Sequence, residues 1–192
     1  FLTDCNTMYP GSRKNALEHL ECAWENGFTP LTVGCPVIIG DGLKGTDDIA
    51  VPVEGGEYTK EALIGRAVMD ADVFISLTHF KGHEMTGFGG TIKNIGMGCG
   101  SRAGKKDQHS GGKAQIDPEL CRGCRKCQKE CANGGLVYDT EAKKMTVSAD
   151  CVGCGRCLGA CNFDAISFAE NNANEMLCRR IAEYTKAVVD GR

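Results

Sequence analysis

Eight cysteines carry the clearest chemistry in the sequence. They fall in two runs, Cys121, Cys124, Cys127 and Cys131, then Cys151, Cys154, Cys157 and Cys161. Each run reads C-x2-C-x2-C-x3-C. Three thiolates spaced this way on a tight loop take three corners of one iron–sulfur cube, and the fourth cysteine, on the turn that follows, points away toward a second cube. The spacing therefore predicts two [4Fe–4S] clusters as cofactors. Cys121, Cys124, Cys127 and Cys161 hold one; Cys151, Cys154, Cys157 and Cys131 hold the other. Zinc is the competing metal, but it takes four ligands, usually as two separated pairs, and has no use for two evenly spaced runs of four. A disulfide framework fits a reducing compartment poorly.

The elements that would present these loops repeat with a period of 30 residues. Between 114 and 170 each copy reads as a short strand, a cysteine loop, a turn of helix and a second strand. The strands fall near 115–116, 136–138, 145–147 and 165–168, and Val137 and Ile166 are expected to cover the clusters. This segment resembles a two-cluster bacterial ferredoxin domain, with all eight ligands matching. Ala132 and Asn162 stand where that family has proline after the fourth cysteine.

The first 112 residues read as an α/β pattern. A strand at 1–3 leads to a helix from an N-cap at Ser12 to about Glu25, closed by Asn26 and Gly27. A short buried strand at 36–39 and an edge strand at 50–53 come next; Pro52 removes a donor. A helix is expected from Thr59 to about Asp70. The run 72–77 is continuously apolar, the pattern of a strand in a parallel sheet. The fold class expected is thus α/β, a parallel-type sheet with helices, plus an α+β ferredoxin-like 2[4Fe–4S] domain. Its divisions are 1–112, 113–170, and a C-terminal amphipathic helix in 171–192 that packs back on the α/β part.

A glycine-rich basic loop is expected over 78–112, beyond the end of the best strand, where ligands sit in open α/β sheets. It carries His79, Lys81, His83, Lys93, Arg102, Lys105, Lys106 and His109. His79, His83 and Lys93 are the candidate catalytic residues. The two histidines, four apart, would share a metal only on a helix, and Gly82 disfavours one; they also read as loop residues bonded to backbone. Lys93, Arg102, Lys105 and Lys106 suit an anionic group or a solvated loop. The phosphate-loop pattern fails around Gly104 and Lys105, where Cys99 and Lys106 stand at required positions. Cys99 reads as a packing thiol or a thiolate stabilised by basic neighbours. Cys5, Cys22, Cys35 and Cys178 read as packed thiols.

The net charge of −3 offers no footprint for nucleic acid or an anionic membrane. No apolar run approaches the roughly 20 residues of a membrane span. Scattered thiols suggest a reducing cytosol, and oxygen-sensitive clusters suggest an anaerobe. Residues 74–98, the segment Ser101 to Lys105 and the opening Phe1 to Thr7 resemble the domain of unknown function 362 family. That resemblance covers nearly the whole chain, with the ferredoxin segment inserted, and implies a piece of a longer protein; Phe1 is not Met. It implies no reaction. The leading expectation is iron–sulfur electron transfer to a redox partner protein or a small molecule. One alternative is an oxidoreductase that binds a small anionic substrate at 78–109 and is fed electrons by the clusters. The other is a non-redox structural or sensing role.

Overall fold

The computed structural model describes all residues except 9–10, 84, 110–111, 132, 152, 154–156, 158–159, 169–172 and 192. The chain divides into two compact units, 1–108 with 176–192, and 109–175.

The first unit begins with strand β1 (Leu2–Asp4), which pairs in parallel with β2 (Val37–Ile39). Between them lie helices α1 (Ala16–Glu25) and α2 (Pro30–Val33). The cap of α1 is Asn15, whose side chain accepts from the N–H groups of Leu17 and Glu18, so the helix starts later than a Ser12 cap would place it. Helix α2 was not expected. Thr29 and Thr32 form a capping box around Pro30, and Gly34, left-handed at φ 73°, ends it.

The expected helix from Thr59 is a strand for its first half. Strand β4 (Glu61–Gly65) pairs antiparallel with β3 (Asp48–Pro52), and only α3 (Arg66–Met69) is helical. Ala62 and Ile64, two apart, are both fully buried, and that two-residue period belongs to a strand. A side chain on Gly65 would begin 2.5 Å from Cys5 Sγ, so only glycine lets β4 close on β1's extension.

The run 72–77 joins no ladder: residues 72 and 73 bend, and 74–77 form no regular element. Val73, Ile75 and Leu77 are 76%, 77% and 74% exposed, whereas Phe74 packs against the core. A segment apolar on both faces reads as a buried parallel strand; here one face meets solvent. The parallel sheet accordingly shrinks to the β1–β2 pair, and the other described ladders are antiparallel two-stranded ribbons. The architecture is mixed α/β with small sheets.

The expected loop 78–112 is largely structured. It forms the hairpin β5 (Lys81–His83) and β6 (Gly87–Gly89), then helices α4 (Thr91–Cys99) and α5 (Arg102–Gln108). Two glycines make this possible. A Cβ on Gly104 would lie 2.2 Å from the Leu63 carbonyl oxygen, and one on Gly96 2.1 Å from that of Ile181. Backbone therefore meets backbone at both crossings. The core joins Cys5, Val53, Ala62, Ile64, Val68, Ile95 and Cys99 to Tyr184, Ala187 and Val188 of the terminal helix α7 (Ala173–Val189). The buried Tyr184 hydroxyl donates to Asp107 Oδ2 at 3.0 Å.

The second unit contains two ribbons. Strand β7 (Ala114–Ile116) pairs antiparallel with β10 (Ile166–Phe168), and β8 (Leu136–Asp139) with β9 (Lys144–Val147). Helix α6 (Lys126–Glu130) follows the first cysteine loop. The 30-residue repeat relates β7 to β9 and β8 to β10, so each ribbon joins the leading strand of one copy to the trailing strand of the other. The symmetry is off by one residue: Ile116 faces Ile166, whereas Leu136 faces Val147 rather than Thr146. Among the described residues no helix is long and apolar enough to cross a membrane.

Candidate metal centre

Gly123 and Gly153 occupy the same place in the two cysteine loops, and both are left-handed, at φ 64° and 70°. A side chain on Gly123 would begin 2.3 Å from the Lys143 carbonyl oxygen, and one on Gly153 2.0 Å from that of Gly112. Glycine thus sets a tight turn at the same place in each loop. Two residues after Gly123, Arg125 is also left-handed at φ 61°, and its guanidinium lies 3.6 Å over the Tyr138 ring.

Cys121, Cys124 and Cys127 line one cavity together with Cys161, 34 residues further along the chain than Cys127. Its apolar walls are Ile116, Met145, Phe163, Ala165 and Ile166. Val137, expected to cover a cluster, is instead exposed; its neighbour Leu136 is buried. The Met145 N–H donates to Cys121 Sγ at 3.4 Å, and Lys144 Nζ donates to the Cys121 carbonyl at 2.6 Å. Burial pushes the Cys127 thiol above its ordinary pKa; Cys124, Cys161 and Cys121 add to that, while the Gln128 backbone opposes it. Four thiolates this close need positive charge among them, and a bound multi-iron group would supply it.

Of the second expected ligand set, Cys131, Cys151 and Cys157 belong to one core cluster of this unit, and Cys154 lies outside the described residues. The Gly135 N–H donates to Cys131 Sγ at 3.2 Å. A Cβ on Gly135 would meet Cys151 Cα at 2.7 Å, so this glycine brings the first copy's last cysteine against the second copy's first. The sequence reading missed Gly135, Lys144 and the Met145 N–H; only the repeat pointed toward them.

Thiols, backbone donors and an apolar shell are the donor set a [4Fe–4S] cube requires. Among the described residues no three His, Cys, Asp or Glu side chains converge tightly enough for a single metal ion. A cube holds its four cysteines further apart than one ion does. No disulfide joins any of the described cysteines.

The residues of 78–109 disperse. Lys105 is buried and donates to the carbonyls of Gly98 at 3.0 Å, Gly100 at 2.6 Å and Cys5 at 3.5 Å, which removes it from any ligand-binding role. The Arg102 side chain lies against Gly45. His109 is buried, Lys106 and His79 are exposed. His83 Nδ1 accepts from the N–H groups of Met85 and Thr86 at 3.2 and 3.3 Å, so that nitrogen ties the hairpin turn and carries no proton. Cys99 and Cys5 are core thiols, and burial raises the Cys5 pKa far above the ordinary thiol range. Cys22 and Cys35 are half-buried, and Cys178, read as packed, is exposed.

Lys93 and Lys81 do share a place. Lys81 faces Gly89 across the hairpin, and Lys93 Cδ lies 3.5 Å from where a Gly89 side chain would begin. Burial lowers the Lys93 pKa, the charge of Lys81 lowers it further, and Cys178 opposes both.

A mixed α/β chain with a cysteine-lined cavity defines a class only broadly. The chain matches the family described as Domain of unknown function (DUF362) over residues 1–190, and it belongs to that family. No solved structure matches it.

Proposed function

We propose that this chain is an iron–sulfur electron-transfer module with a ferredoxin-like 2[4Fe–4S] segment. In this reading Cys121, Cys124, Cys127 and Cys161 hold one cluster, and Cys151, Cys154, Cys157 and Cys131 the other. The observation that carries it is the cavity lined by three cysteines of the first copy and one of the second. When bound, such cubes supply one-electron chemistry at potentials set by charge, hydrogen bonds and exposure. The chain's part is to hold and tune them. Met145 and Gly135 N–H groups stabilise negative sulfur, and Ile116, Met145 and Ile166 exclude water. The partner would be a redox protein or a small molecule, in a reducing cytosol.

Anaerobic reconstitution tests this. The expected result is about eight irons and about eight acid-labile sulfides per chain, reduced and reoxidised without loss. Zinc in place of iron, or far less sulfide, overturns the reading; clusters that break down on reduction favour the structural or sensing role.

A second reading is favoured by Lys81 and Lys93, two lysines that share one hairpin face and make no ion pair with a described residue. They suit a small anionic substrate, which would make the chain an iron–sulfur oxidoreductase. Substituting Lys93 with both clusters intact then abolishes turnover but leaves cluster reduction unchanged.

A further inference from the structure

The hairpin face that carries Lys81 offers an anion more than attraction. We propose that Lys93 is a nucleophilic amine that forms an imine with a small aldehyde or 2-oxo acid whose carboxylate Lys81 holds. This rests on the anion-binding reading of the same site and names its substrate class.

The geometry supplies both halves of the chemistry. Lys93 sits in the first turn of α4, where no acidic residue stands to hold its proton, and its side chain runs over Gly89. Lys81, opposite Gly89, presents the neighbouring positive charge. Among the described residues, the other titratable groups here are His83, whose Nδ1 is bound by two N–H groups, and Cys178 of α7, which favours the ammonium. An amine desolvated beside another cation gives up its proton more readily than an exposed lysine, and so is the better nucleophile at a given pH. The same Lys81 charge attracts a carboxylate and so places an adjacent carbonyl carbon within reach of Lys93. The neutral amine adds to that carbon, a proton passes from nitrogen to the carbinolamine oxygen, and water leaves. A C=O bond is replaced by C=N with no change of oxidation state.

The test treats the full chain at pH near 7 with glyoxylate and cyanoborohydride, which delivers hydride to any imine and fixes it. Peptide mass spectrometry then ranks the lysines. Lys93 is expected to label many-fold faster than exposed Lys44 or Lys106, with the preference vanishing above about pH 11, where ordinary lysines, of pKa about 10.4, are mostly neutral. Lys81→Met is expected to slow Lys93 labelling several-fold near pH 7 but not above about pH 11, where Lys81 is itself mostly neutral; equal slowing at both would mean lost access and would overturn the proposal. So would Lys93 labelling no faster than the exposed lysines. A neutral aldehyde separates the two ideas. If propionaldehyde labels Lys93 as fast as glyoxylate does, the nucleophile stands and the anion site fails. If glyoxylate shields Lys93 from acetylation without labelling it, the anion site stands and the imine fails.

Discussion

Cys161 separates crosswise from local sharing of the thiols. It lines the cavity of the first loop although it belongs to the second motif. Cys161→Ser and Cys121→Ser are therefore expected to remove the same EPR signal from reduced protein, and Cys131→Ser the other. Loss of one signal by Cys121→Ser and Cys131→Ser alike would show that each motif holds its own cluster. Charge should split the potentials. Residues 121–131 carry Arg122, Arg125, Lys126 and Lys129 against Glu130, whereas 150–164 carry Arg156 against Asp150 and Asp164. Positive charge stabilises the added electron, so a redox titration is expected to show the Cys161-dependent signal at the higher potential. His19 gives a pH dependence. It is buried, and burial holds its pKa below the ordinary value although Asp4 Oδ2, 3.9 Å away, pulls it up. The folded state thus prefers neutral His19. That contribution is complete above about pH 6.5 and is lost as pH falls through this value toward the lower folded pKa. The urea midpoint should drop over that window, and His19→Gln should flatten the drop.

Helix and strand contacts made through glycine are the sharpest constraints on the elements. Gly104→Ala sets a methyl 2.2 Å from the Leu63 carbonyl oxygen, and Gly96→Ala one 2.1 Å from that of Ile181. Backbone cannot move as a side chain does, so each is expected to cost about 1–3 kcal/mol or more in chemical denaturation. Gly135→Ala pushes on Cys151 and should reduce iron content while leaving the Cys161-dependent signal intact. These positions also show why element boundaries were hard to read. Ala62, Leu63, Ala67 and Val68 suit a helix by spacing, yet Ala62 and Ile64 fill the core as a strand because β3 lies alongside. The glycines of 78–112 suggested a loop, but Gly96 and Gly104 sit inside helices whose crossings need them.

The two units differ in what fills their cores. In the first, Ile64, Val68, Ile95, Tyr184 and Val188 dominate beside two thiols, Cys5 and Cys99; in the second, Cys121, Cys127 and Cys157 stand among the buried residues and Cys131, Cys151 and Cys161 pack on them. In the iron–sulfur reading proposed above, a core so rich in thiols depends on the clusters they would hold. Chelation of iron under reducing conditions is therefore expected to strip amide protection from 109–175 first, with protection of Ile64 and Tyr184 retained. Simultaneous loss in both units would refute that independence. The proposed ligand set rests on the spacing of the cysteines, and spacing is local, so it can be read from sequence. The pairing of Lys81 with Lys93, the solvent-facing side of 72–77 and the burial of Lys105 among carbonyls were decided by tertiary structure. Each depends on which backbone lies opposite, and residue type by itself carries no information about that.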